Sequence, residues 1–338
     1  MSCTLLPGSV HYQVTMKPVM IYNQKNNDSK LIFALMKKAY IQLHIAVFLA
    51  GFTAIIGKII HLNEGVLVLY RLFFTVITLG VILVYKKEFI KLKTREALKI
   101  FMVGGLVAMH WVFFYGSVKY SNVSVSLTCL SAIGFFTALF EPLILGKKIK
   151  IIELGLGLFA IIGIYMIFDF HPQFKLGITF GIISALLASI FPVFNKKLLV
   201  EHSPKTVTLY EMCGGFLVLS IIIPFYLVWF PAQYYLPTMN DLFWLLILSW
   251  ICTVLSFILQ LNALTKISAF TANLTYNLEP VYGIILGLLI FNESKELKPG
   301  FYGGLSLIIL AVILQMIRVR SSVKKNKMIF QEKITPGK

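Results

Sequence analysis

Acidic residues are scarce in this 338-residue chain: 14 Asp and Glu stand against 31 Lys and Arg, and charged residues make up only 13% of it. With 58% apolar residues and a mean hydropathy of +0.84, so few charges cannot cover a water-soluble globule of this length. Catalytic signatures are missing too. There is no G-x-S-x-G, no H-E-x-x-H and no phosphate-binding glycine loop, and none of the six histidines is spaced as a metal pair on one helix. Enzymatic activity, a cofactor and a metal centre are therefore not expected. The four cysteines, Cys3, Cys129, Cys213 and Cys252, lie far apart, three of them inside apolar runs, where they are expected to pack as small apolar residues. The net charge of +17 falls in short runs between apolar segments rather than beside aromatic platforms, so nucleic acid is not an expected partner.

What the chain has in quantity is long apolar runs. Ten of them, near 39–60, 66–85, 98–118, 122–145, 151–169, 176–198, 206–229, 241–264, 268–291 and 300–319, approach the roughly 20 residues that a helix needs to cross a bilayer. The first is too long for a signal-peptide core and lacks a small-residue cleavage site, so it reads as an uncleaved span. Residues 1–38 read as a disordered polar tail, with Met36-Lys37-Lys38 resembling a natural start, and 320–338 as a basic tail. Of the 31 Lys and Arg, 25 fall on the side of the N-terminus, 5 on the other side, and Arg71 lies within a span. That asymmetry predicts both termini in the cytoplasm. Lys58, Lys119 and Lys266, each at a span end, read as topology or headgroup residues.

An internal repeat divides the chain into 39–170 and 175–319. Gly57-Lys58 matches Asn195-Lys196, Leu69-Tyr70-Arg71 matches Leu209-Tyr210-Glu211, and Lys119-Tyr-Ser121 matches Lys266-Ile-Ser268. Five spans per half is an odd number, so the second half must be upside down relative to the first. The expected fold is an all-α polytopic membrane protein of ten transmembrane helices in two inverted five-helix repeats. Secondary transporters are commonly built this way, with the site at the repeat interface.

The stretch Ser268–Glu293 carries the densest polar chemistry inside an apolar run. Glu279 falls near its middle, where a carboxylate must face a cavity or a partner. Pro280 cannot bond the carbonyl of Tyr276 and so predicts a bend there. Asn273, Asn277 and Tyr276 share the faces around Glu279. In span 3, His110 and Trp111 lie away from the interfacial belt, and Trp111 could wall an apolar or cationic ligand. Arg71 and Glu211, opposite charges at repeat-equivalent positions, are candidates for a gating pair. For each of these the alternative is structural: packing for His110, snorkelling for Arg71, a helix junction for Glu279.

Asn277-Leu-Glu-Pro-Val-Tyr-Gly283, Leu288-Leu-Ile-Phe-Asn-Glu293, His110-Trp111 and Ser131–Pro142, set in ten spans with inverted halves, resemble the drug/metabolite transporter superfamily, specifically EamA-type permeases. One departure is that Glu141-Pro142 is out of repeat register with Glu279-Pro280. The resemblance implies alternating-access export of a small polar or amphipathic, amino-acid-like metabolite from a bacterial-type plasma (inner) membrane. It also implies that spans 1, 3, 4, 6, 8 and 9 surround a central cavity. The expected partners are a small-molecule substrate and the lipid bilayer. Proton coupling and facilitated diffusion both fit, as do monomer and homodimer. The alternative function is a flippase for a lipid-linked intermediate or small lipid.

Overall fold

The computed structural model describes residues 16–170, 172–276, 278–295, 297–311, 313–314 and 317; the C-terminal tail and Cys3 lie outside them. Among the described residues the secondary structure is helical throughout, with no strand. The helices are α1 (Met16–Ile59), α2 (Glu64–Tyr85), α3 (Thr94–Tyr120), α4 (Val123–Leu130), α5 (Ile133–Leu145), α6 (Ile151–Phe170) and α7 (Lys175–Leu198). They continue with α8 (Pro204–Trp229), α9 (Met239–Ser249), α10 (Ser256–Leu264), α11 (Ala269–Tyr276) and α12 (Glu279–Phe291). A last apolar helix, α13, covers Pro299–Ala311. α1 (Met16–Ile59) includes part of the stretch expected to be a tail, and Leu35–Ile59 within it is long and apolar enough to span.

Seven segments are long and apolar enough to cross a membrane, and three further apolar helices, Ile151–Met166, Glu279–Phe291 and Pro299–Ala311, are shorter. Their ends follow local chemistry. The side chain of Asn63 accepts the N–H groups of Gly65 and Val66 ahead of α2, and Asn122 accepts that of Val125 ahead of α4. Thr238 and Asp241 close a reciprocal capping box on α9. α5 stops at Gly146, whose φ of 65° suits a residue without Cβ.

Three of the expected continuous spans are interrupted. α4 and α5 are separated at Ser131-Ala132, and a π-helical segment, Trp250–Leu255, joins α9 to α10. α11 ends at Tyr276, and Pro280 sits in the first turn of α12, where its missing N–H costs no bond. Pro280 thus sits just after an interruption of the expected helix. Pro192 and Pro224, by contrast, lie inside continuous α7 and α8.

α3 is central, packing most extensively on α8 and α7. A Cβ at Gly104 would lie 1.9 Å from the carbonyl oxygen of Glu211, so only glycine permits the α3–α8 approach seen there. Two of the three span-end lysines, Lys58 and Lys119, hold the bundle together instead of snorkelling, as does Lys196, whereas Lys266 is exposed. Lys119 donates to the carbonyls of Ile60 (3.0 Å) and Leu62, and Lys196 to those of Ile267 (2.7 Å) and Leu264.

Lys58 pairs with Glu293 at 2.8 Å. The same carboxylate accepts from the backbone N–H groups of Val123 and Ser124, both at 2.9 Å, and from the Ser124 hydroxyl at 2.6 Å. One buried acid therefore ties α1, the start of α4 and the end of α12. Burial alone would raise the Glu293 carboxyl, but Lys58 and the Ser124 and Val123 donors together hold it below its ordinary value of 4.5. A depressed folded-state value means that the latch contributes fully above pH 4.5 and is lost as the pH falls below it. Glu293→Gln should lower stability by about 2 kcal/mol, the range for hydrogen bonds to a charged group. Thermal unfolding followed by light scattering in detergent checks this. The gap between variant and wild type should close in acid, and equal midpoints at neutral pH would remove the latch.

Candidate functional site

The interruptions in the spans converge on one place. α4 and α5 contribute Leu130 and Ile133 from either side of their break, α11 and α12 contribute Tyr276 and Glu279 from either side of theirs, and the π segment contributes Cys252. These residues line a cavity with about 80 Å³ of free volume, smaller than most small-molecule sites. Ala50 and Thr53 of α1, Arg71 of α2, His110 and Trp111 of α3, Phe191 of α7 and Gln260 of α10 complete the wall. The expected cavity-forming spans are all present, with α2 added through Arg71. Irregular backbone at this depth is tolerated where it borders a cavity rather than lipid.

Arg71 is the most constrained group in the wall. It is 2% exposed. Its Nε donates to Thr253 Oγ1 at 2.7 Å, one terminal nitrogen donates to the Tyr115 hydroxyl at 2.8 Å, and the other reaches the carbonyl of Cys252 at 3.5 Å. The guanidinium carbon lies 3.6 Å from the Trp111 ring centroid, a cation–π stack. Thr253 in turn donates to the carbonyl of Leu248, five residues back, so the π turn and the Arg71 contact share one hydroxyl. Gly57 makes room for Tyr115, since a Cβ there would lie 2.2 Å from the Tyr115 ring. Snorkelling is therefore not what Arg71 does.

Glu279 is the first residue of α12 and is 7% exposed. The positive end of the α12 dipole faces its carboxylate. Among the described residues it has no hydrogen bond and no ion pair, although Arg71 acts on it electrostatically. The cavity thus holds a carboxylate and a guanidinium that do not neutralise each other by contact.

His110 is anchored across the α3–α7 interface. Its Nδ1 lies 3.0 Å from the carbonyl of Ser184 and 2.8 Å from the Ser184 hydroxyl, which itself donates to the carbonyl of His110. A carbonyl only accepts, so Nδ1 carries the hydrogen and Nε2 is the free acceptor. Phe191 stacks with Phe257 at 6.3 Å between centroids, and Phe257 meets Trp111 edge-on at the same distance. Together they form an apolar wall opposite the polar groups.

Five of the residues singled out in the sequence, Arg71, His110, Trp111, Tyr276 and Glu279, therefore share one cavity. Glu211 does not join them: it is wholly buried between α7 and α8 and forms no pair with Arg71. Asn277 and the side chain of Asn273 lie outside the described residues. Thr253, Ser256 and Phe257 were missed. A polar residue within an apolar run was the available signal for the first two, and Phe257 carried none.

A solved structure described as "Crystal structure of protein" superposes with a TM-score of 0.58 at 12% identity, covering 82% of this chain and 96% of that one, a likeness of fold alone. An "Uncharacterized transporter" of Clostridium kluyveri is 23% identical over 279 residues, 78% of this chain and 88% of the relative. The EamA-like transporter family matches twice in tandem, over residues 37–169 and 175–317. With nearly the whole apolar portion matched by two copies of one unit, the chain belongs to the EamA-like transporter family and is a multi-pass membrane transporter.

Proposed function

We propose that the protein exports a small amphipathic, amino-acid-like metabolite by alternating access between two inverted five-helix halves, from a plasma membrane with both termini in the cytoplasm. The observation that carries this reading is the pairing, in one cavity, of Arg71 stacked on Trp111 with a Glu279 that has no contact partner among the described residues. A guanidinium has five N–H donors, and three are engaged by Thr253, Tyr115 and Cys252. The two left, one on each terminal nitrogen, suit a bidentate substrate carboxylate. Glu279 receives a substrate ammonium, and Trp111, Phe191 and Phe257 take the apolar part. Free His110 Nε2 and Gln260 add polar contacts.

A carboxylate on the two free N–H groups loads the same guanidinium that holds the π segment and so couples occupancy to α9 and α10. Asn273 and Asn277 are part of this proposal as further groups binding the polar end of the substrate. Arg71 and Glu211 bias opening from their own halves rather than by pairing with each other.

A second reading, a lipid-linked or small-lipid substrate, is favoured by a groove of about 530 Å³ between α3 and α7. Met102, Leu106 and Phe194 line its apolar part, and Lys99, Lys197 and His202 line it together with Glu96 and Glu201. Mass spectrometry of lipid retained after gentle extraction discriminates the two, since export of a water-soluble metabolite requires no stoichiometric lipid.

In cells overproducing the protein at matched membrane abundance, wild type should enrich one zwitterionic metabolite outside and Glu279→Gln should not. Arg71→Lys, which keeps the charge but loses the fork and the stack, should weaken uptake of that compound into inverted vesicles about ten- to hundredfold. Unchanged enrichment by Glu279→Gln would reduce Glu279 to a structural residue. Thr253→Val should act through Arg71, raising KM for the same compound while Arg71→Lys/Thr253→Val adds little beyond Arg71→Lys alone. Additive losses would separate Thr253 from the guanidinium.

A further inference from the structure

Outside the cavity, Glu211 on α8 faces Asn195 on α7. Both residues are 0% exposed. No carboxyl oxygen of Glu211 and no amide atom of Asn195 meets a partner in hydrogen-bond geometry, although the Asn195 amide is near enough to act on the Glu211 carboxyl. Asn195 stands one helical turn beyond Phe191 and Pro192, which line the cavity, in the direction of the 199–203 loop. α3 closes the third side, its backbone at Gly104 pressed against Glu211.

Nearby charged and titratable groups are engaged elsewhere. Lys196 is turned to the carbonyls of Leu264 and Ile267. The Tyr210 hydroxyl bonds the backbone at Ile90 and Leu92. Cys213 packs with Leu79, Leu83 and Leu209. Arg71 is held by Tyr115 and Thr253. Among the described residues no cation pairs with Glu211.

Donor counting then decides what the pair needs. A carboxylate only accepts, whereas a carboxamide offers two N–H donors and one oxygen acceptor. With Glu211 ionised, Asn195 Nδ2 could serve one oxygen, but Asn195 Oδ1 would have no donor and the buried charge no counter-ion, each costly away from water. One added proton resolves both. The acid O–H donates to Asn195 Oδ1 while Asn195 Nδ2 donates to the other carboxyl oxygen, closing a two-bond ring in which all four atoms are partnered.

We propose that Glu211 and Asn195 form a proton-binding site, separate from the substrate cavity, which takes its proton from water on the face of the 199–203 loop and returns it to water. The proton is transferred and nothing is oxidised or reduced. Repeat symmetry sharpens the assignment. Glu211 occupies the position that Arg71 holds in the first half, and Asn195 that of Gly57. There a glycine admits Tyr115 to bond a permanent cation; here a carboxamide closes on an acid that gains and loses charge. What the proton drives rests on the transport reading; the existence of the site does not.

Infrared spectroscopy of the full chain in phosphatidylethanolamine–phosphatidylglycerol vesicles, in H2O and 2H2O, tests it with the proton as the probe. Wild type should show a deuterium-sensitive protonated-carboxyl band that is absent in Glu211→Gln and present in Glu279→Gln. Asn195→Leu should move that band to the position of an acid without a hydrogen-bond partner. The band should also vanish and return as the pH is cycled through the alkaline range. Loss of a carboxylate band in Glu211→Gln, or no effect of Asn195→Leu, would overturn the pair. A band that persists until the protein unfolds would overturn its role as an exchanging site. Should Glu211→Gln not fold, Asn195→Leu supplies the same reading. Failure of metabolite export would leave these spectra unaltered, so the two readings fail separately.

Discussion

A guanidinium kept from bulk water must have its charge and its donors answered by the protein itself, and the architecture around Arg71 follows from that requirement. The phenol of Tyr115, the hydroxyl of Thr253 and the carbonyl of Cys252 come from two helices far apart in sequence, and the Trp111 ring supplies a π face. The Cys252 contact lies in the π segment, where helical pairing is already altered, and Thr253 links that segment to Arg71 directly. Gly57 is small so that Tyr115 can reach. A cation in an apolar bundle thus dictates a glycine, a helix irregularity and an aromatic stack.

The spans and the cavity residues were legible to different degrees, for physical reasons. Long apolar runs announce helices because the bilayer sets their length, and a charged or indole side chain inside such a run stands out because lipid cannot solvate it. That is why Arg71, Glu279 and Trp111 could be singled out. The interruption at Glu279-Pro280 was visible through proline. The break at Ser131-Ala132 carries neither proline nor glycine, and the π segment Trp250–Leu255 looks like any apolar helix. Both depend on contacts with other helices. Thr253 and Tyr115 acquire their roles 182 and 44 residues away from Arg71, and no local pattern reports such separations.

The span-end lysines carry the same lesson. A positive charge at a span end has two uses that look identical in sequence, setting orientation and binding a helix terminus. Lys119 and Lys196 take the second, each answering carbonyls that a helix end leaves without partners. Lys58 meets a carboxylate 235 residues away, and that carboxylate also caps α4. The two family units are thereby joined by polar contacts at their ends and by glycine-permitted packing of α3 on α8 between them.

The stack of Arg71 on Trp111 has an optical consequence. An indole whose face is covered by a guanidinium, and whose edge meets Phe257, emits in surroundings unlike those of Trp229 or Trp250, which are exposed on the outside of the bundle. Any event that draws the guanidinium off the ring changes the surroundings of Trp111 directly. The cavity therefore carries its own fluorophore, stacked on Arg71.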